Sequence, residues 1–128
     1  EVMRFKEGDP VLNNIRILGG IAFKYTDTYS DDPTEVADEV RELESAVDVV
    51  TTSGSGTGTS PSVEKMRAVR GATKKTVAIA SGVDSDNIED YQGLVDEILV
   101  ASSIETTPGS GVFDMGKLQN LVSLAQRL

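Results

Sequence analysis

A chain of 128 residues with 38% apolar content and a mean hydropathy near zero has the size and composition of one globular α/β-sized domain. Twenty-one acidic against twelve basic residues leave a net charge of −9, which repels nucleic acid and anionic membrane surfaces and argues against both as partners. Cysteine and histidine are both missing, which excludes disulfides, thiolate chemistry, a Ser-His-Asp triad and a zinc site.

The chain opens at Glu1 inside what reads as a charged helix end, Glu1 to Glu7, and the expectation is a piece of a longer protein. No apolar run has the length of a membrane span and no signal-peptide pattern occurs, so membrane insertion is not expected and the predicted compartment is cytoplasmic. After the turn at Gly8-Asp9-Pro10, Ile15 to Phe23 reads as a buried strand interrupted by Gly19 and Gly20, with Lys24 at its carboxyl end. Asp31-Asp32-Pro33 supplies an N-cap and a proline at the first helical position. Val36, Val40, Leu43 and Ala46 then follow at helical spacing.

A second strand, Val47 to Thr52, runs into the loop Ser53-Gly-Ser-Gly-Thr-Gly-Thr-Ser-Pro61. Small hydroxyl and glycine residues let a backbone approach a ligand closely, which is the chemistry of an anion cradle. A helix from about Ser62 to Arg70 follows, with Val63, Met66 and Val69 inward and Gly71 as its C′ residue. The third strand is Thr76 to Ala80, ending in Ser81-Gly82. Asp84-Ser85-Asp86 is predicted to cap a helix through Ile88, Tyr91 and Leu94 that closes near Gly93. The fourth strand, Ile98 to Ala101, ends in Ser102-Ser103, and a final helix carries Leu118, Leu121, Val122, Ala125 and Leu128 on one face.

Four strand-then-helix units without a hairpin signal predict an α/β fold of parallel strands, either half of a (β/α)8 barrel or an open doubly wound sheet. A full barrel takes about 250 residues. In both architectures function gathers at the carboxyl ends of the strands. The predicted rim is Lys24, Ser53, Gly54, Thr57, Gly58, Ser81, Gly82, Ser102 and Ser103, a donor-rich mouth with one cation, and the expected ligand is a phosphorylated or otherwise anionic small molecule. The loops after the third and fourth strands are the better phosphate candidates, with the glycine loop as wall or lid. Neither a dinucleotide fingerprint nor a P-loop is present: Thr59 stands where the former wants its third glycine, and no Gly-Lys-Ser/Thr occurs. No metal site and no cofactor are predicted. Asp31 and Asp32 are explained by capping.

Taken in order, Arg4-x-Lys6, Ile15-Arg-Ile-Leu leading to Lys24, Asp48-Val-Val-Thr-Thr-Ser-Gly-x-Gly-Thr-Gly58, Ser81-Gly-Val-x-x-x-Asn87, and Val95-Asp96 before Ala101-Ser-Ser103 resemble the BtpA family over nearly the whole chain. The resemblance implies a TIM barrel, with residues 1–128 as a (β/α)4 unit forming its C-terminal half, roughly strands five to eight. It also implies a link to photosystem I biogenesis, known for cyanobacterial members. Where the family pattern has an acidic residue and histidines near the lysine, this chain has Gly20, Ala22 and Tyr25. Glu97 and Ala101 replace glycines, and Glu105 replaces a lysine. These departures weaken the carry-over of catalysis. Besides anion binding, two further readings stand: an assembly factor acting through its surface, and a phosphosugar isomerase, lyase or aldolase using Lys24 as base or nucleophile. A half-barrel has open sheet edges, and a missing N-terminal half or a homo-oligomer is expected to cover them.

Overall fold

The computed structural model describes residues 6–128; the expected helix end therefore lies outside the described residues from Glu1 to Phe5, and Lys6 and Glu7 are helical. Four strands, β1 (Leu18–Gly20), β2 (Val49–Thr52), β3 (Thr76–Ile79) and β4 (Glu97–Ile98), form one sheet in the order β1-β2-β3-β4. All three neighbouring pairs are parallel, with Val49 and Val50 opposite Thr76 and Val77, and Ile79 opposite Ile98. Sequential order is the winding of a barrel wall; a doubly wound sheet reverses its strand order at a switch point.

The helices are α1 (Pro33–Leu43), α2 (Val63–Ala72) and α3 (Met115–Ala125). Val36 and Val40 of α1 and Met66 and Val69 of α2 are fully buried in one cluster with Val50, Val77 and Ile79 of the sheet. Each Å² of apolar surface that this helix-on-sheet layer removes from water stabilises the fold by about 25 cal/mol. The opposite face brings Gly20, Thr51, Ala78 and Glu97 into register. Ahead of β1, Arg16 reaches Glu97 across the sheet with an N–O distance of 2.6 Å.

Two aspartates lock register at the amino end of the sheet. Asp48, just before β2, accepts the Ile17 amide at 2.7 Å and the Lys6 ammonium at 2.6 Å. Asp96, just before β4, accepts the Val77 amide at 2.8 Å and the Arg70 guanidinium at 2.9 Å. Each pairs an aspartate with the neighbouring strand and a cation. Lys6 and the Ile17 amide together hold the Asp48 carboxyl below the usual carboxylate range.

Asp32 caps α1 as its sequence demands, accepting from the Thr34 and Glu35 amides, with Pro33 in the first position. The helix stops earlier on its apolar stripe than expected: Leu43 is 38% exposed, and Ala46 belongs to a separate 3-10 turn, Glu44–Ala46. Gly71 is not the C′ residue of α2, which continues to Ala72. The Arg70 guanidinium reaches past the helix end to the carbonyls of Thr73 and Lys75 and ties down the chain that leads into β3.

The strands are shorter than their apolar runs. β1 contains Gly19 and Gly20 rather than breaking at them, while Ile15 is exposed and the chain bends after Ile21. β4 spans only Glu97–Ile98, although Asp96 and Leu99 still donate to β3 carbonyls on either side. The predicted helix through Ile88 and Leu94 is one 3-10 turn, Ile88–Tyr91. Asn87 explains this: its side chain accepts from the Asp84 amide at 3.0 Å and donates to the Gly82 carbonyl at 2.9 Å, closing the segment locally in competition with a helix. In α3 Leu121 is buried, but Val122 is 46% exposed and Leu128 lies past the helix end. Among the described residues no helix is long and apolar enough to cross a membrane.

Candidate functional site

A cleft of about 430 Å³ opens at the carboxyl ends of the strands, a size typical of small-molecule sites. It is lined by Lys24 after β1, Thr57 and Gly58 of the glycine loop, Ser81 and Gly82 after β3, and Ser102 and Ser103 after β4. Seven of the nine rim residues expected from sequence thus share one cleft. Ser53 and Gly54 do not join them.

Ser53 is fully buried, and its hydroxyl accepts the Lys24 amide at 2.8 Å while donating to the Gly54 carbonyl at 2.9 Å. It holds the backbone of Lys24 in place. Gly54 lies beneath its own loop: a Cβ there would stand 2.2 Å from the Thr59 carbonyl oxygen. Gly82, at φ +65, is equally constrained, since a Cβ would stand 2.2 Å from the Ser60 nitrogen. The glycine loop is therefore folded on itself and seated against the β3 end, where Ser81 donates its hydroxyl to the Gly56 carbonyl at 2.8 Å. Ser81 is a fastening for the loop, and its proton is committed to the Gly56 carbonyl.

The Lys24 ammonium is held loosely. Its nearest acceptors, the Ala80 carbonyl and the Ser81 hydroxyl, are both at 3.5 Å, and among the described residues it forms no ion pair. The Ser102 and Ser103 hydroxyls have no protein partner among the described residues. Asp84 also lines the cleft, with one carboxylate oxygen accepting the Asp86 amide. Ala101 is part of the lining beside the two serines. Glu105 is turned away: it is 8% exposed, and its carboxylate accepts the amides of Gly109 and Gly111. That carboxylate orders the loop whose Pro108 forms another part of the cleft wall.

On the outer side of the glycine loop lies a residue that the sequence reading passed over. Lys65, in the first turn of α2, is fully buried and donates to the carbonyls of Ala22 at 2.8 Å and Ser53 at 2.9 Å. Asp31 stands 3.4 Å away, and the Tyr29 ring centroid lies 4.2 Å from the ammonium. Burial pushes the Lys65 pKa down, against the pull of Asp31. Its signal in the sequence was a cation four residues before the buried Val69, on the inward stripe of the helix. Tyr29 donates to Asp31 at 2.5 Å, and burial together with that carboxylate pushes its phenol up to about 12.

Such an arrangement offers an ammonium and two hydroxyls to an acceptor-rich ligand. Among the described residues no group of three or more acidic side chains gathers as a metal site would require. No curated protein and no solved structure matches the chain. The family model described as BtpA family matches residues 1–127.

Proposed function

The chain belongs to the BtpA family, and from that premise we propose that the cleft at its strand ends binds a phosphorylated or otherwise anionic small molecule. The family is of the TIM-barrel type, and the four parallel strands in sequential order are what part of such a barrel contains. In this reading residues 1–128 are the C-terminal half, roughly strands five to eight, so that a missing N-terminal half or a second copy covers the outer edges of β1 and β4. A reading frame upstream of Glu1 carrying further β/α units supports the half-barrel; one lacking them speaks for the second copy.

The observation that carries the anion reading is Lys24, a cation in the cleft that no protein carboxylate neutralises among the described residues. An ammonium so placed attracts an oxyanion, and the free hydroxyls of Ser102 and Ser103 complete its hydrogen bonds. Calorimetric titration with inorganic phosphate and ribose phosphate tests it. Binding that weakens about tenfold or more in Lys24→Ala is expected, as charge-assisted bonds contribute about 1.5–3 kcal/mol. Equal binding by Lys24→Ala, or none at tens of millimolar, contradicts it.

A second reading, an assembly factor of the photosystem I biogenesis kind acting through its surface, is favoured by the exposed run Val112, Phe113 and Met115, each 58–59% exposed. A partner captured equally by the wild type and by Lys24→Ala, but lost in Phe113→Ser, supports that reading. Loss in Lys24→Ala instead ties the partner to the cleft.

A further inference from the structure

The glycine loop already holds an acceptor oxygen, and that oxygen belongs to Tyr25. The phenol accepts the Thr57 amide at 3.0 Å and lies 3.2 Å from the Thr57 hydroxyl, a contact in which either oxygen can donate, so the amide and the hydroxyl of one residue both face it. Convergent amide and hydroxyl donors are how proteins hold an anionic oxygen. Donation from Thr57 accordingly keeps the phenol below the usual tyrosine range.

Little else fastens Tyr25 there. It is 77% exposed, and its backbone has φ +63, a conformation costly for a bulky residue by about 1–3 kcal/mol. A side chain that buries little, stands on strained backbone and occupies the Thr57 amide and hydroxyl is replaceable by a better acceptor. Thr57 lines the same cleft as Lys24, and Lys24 immediately precedes Tyr25. The cleft's carboxylate, Asp84, comes from the loop after β3, whereas the glycine loop contributes no negative charge.

We propose that the Thr57 corner of the glycine loop is a second anion subsite, filled here by the Tyr25 phenol and yielded to a ligand bearing two phosphate-type groups. One group sits at Lys24, Ser102 and Ser103, and the other takes the Thr57 donors as Tyr25 swings out. This rests on the reading of the Lys24 cleft as an anion site. The ligand class is then a small bisphosphate rather than a monophosphate.

Calorimetry with inorganic phosphate and with fructose bisphosphate, on the wild type, Lys24→Ala and Tyr25→Phe, tests the subsite. Two linked groups bind about tenfold or more tightly than phosphate alone. Tyr25→Phe keeps the ring but removes the competing oxygen; it is expected to tighten the bisphosphate roughly two- to tenfold, the worth of one net hydrogen bond, and to leave phosphate within about twofold. With three tyrosines and no tryptophan in the chain, tyrosine fluorescence reports the displacement: the bisphosphate changes it in the wild type, and that change is lost in Tyr25→Phe. A bisphosphate advantage that is missing, or a Tyr25→Phe effect equal for both probes, overturns the second subsite while Lys24-dependent phosphate binding stands. Failure of both probes to bind overturns the anion site itself and the subsite with it.

Discussion

Two lysine–tyrosine pairs flank the glycine loop, and they are built in opposite ways. Inside, Lys24 touches its nearest acceptors at 3.5 Å, and Tyr25 is exposed with its oxygen receiving the Thr57 amide. Outside, Lys65 is sealed from water with two carbonyls at 2.8 and 2.9 Å, and Tyr29 gives its proton to Asp31. A buried ammonium must be satisfied by the protein itself, because water does not reach it. An ammonium left loosely held at a cleft is free to be satisfied by something that arrives. The same residue types thus divide into a structural clamp and a loosely held cation at a cleft, the proposed site, according to what surrounds them.

The largest effect is expected at the seam between the two sides. Gly82→Ala drives a Cβ into the Ser60 nitrogen on a backbone already at φ +65, and a loss of about 2–4 kcal/mol in urea unfolding is expected. A loss below about 0.5 kcal/mol would mean that the loop moves aside freely and that the two sides are not separately fixed.

Lys65→Met sharpens the contrast next. It keeps side-chain length but orphans the Ala22 and Ser53 carbonyls, at about 1–3 kcal/mol each, while relieving the buried charge, so a net loss of roughly 2–3 kcal/mol is expected. Lys24→Met in the same assay is expected to stay within about 0.5 kcal/mol of the wild type. Equal losses for the two would erase the distinction between clamp and site.

The smallest effect is a separation of titrations. In an absorbance titration Tyr25 is expected to ionise below the usual value of 10.0 and Tyr29 at about 12. Because the folded pKa of Tyr29 is raised, the stability it contributes is fully present below pH 10 and is lost as pH rises through 12. Tyr29→Phe should remove the step at about 12 while leaving that of Tyr91, which burial also raises, and flatten that part of the stability profile. A Tyr29 that ionises with Tyr25 would show that the outer pair is not sealed.

The comparison also explains what was legible in the sequence. Apolar runs ending in small polar residues placed four strands and a polar rim; β2 and β3 are buried on both faces and carry the apolar signal locally, whereas β1 and β4 are more open. Asp32-Pro33 announced α1 for the same reason, since a cap is made by adjacent residues. The segment after Gly82 misled because helical spacing of Ile88 and Tyr91 serves a 3-10 turn equally well once Asn87 closes it by side-chain bonds. Ser53 and Ser102 look alike as strand-end serines, yet one is buried beneath Lys24 and the other lines the cleft. Which way a loop hydroxyl turns depends on contacts 29 residues apart, such as Lys24 to Ser53. Lys65 was hidden for a like reason: its partners come from the ends of two strands in the preceding chain.

The inner side of the glycine loop is the proposed site for an anion. Its most direct test is a crystal of the chain soaked in a sugar phosphate at high concentration. The expected result is phosphate density within hydrogen-bond distance of the Lys24 ammonium and the Ser102 and Ser103 hydroxyls, with Lys65 undisturbed. An empty cleft, or phosphate bound elsewhere with Lys24 turned out to solvent, would contradict it.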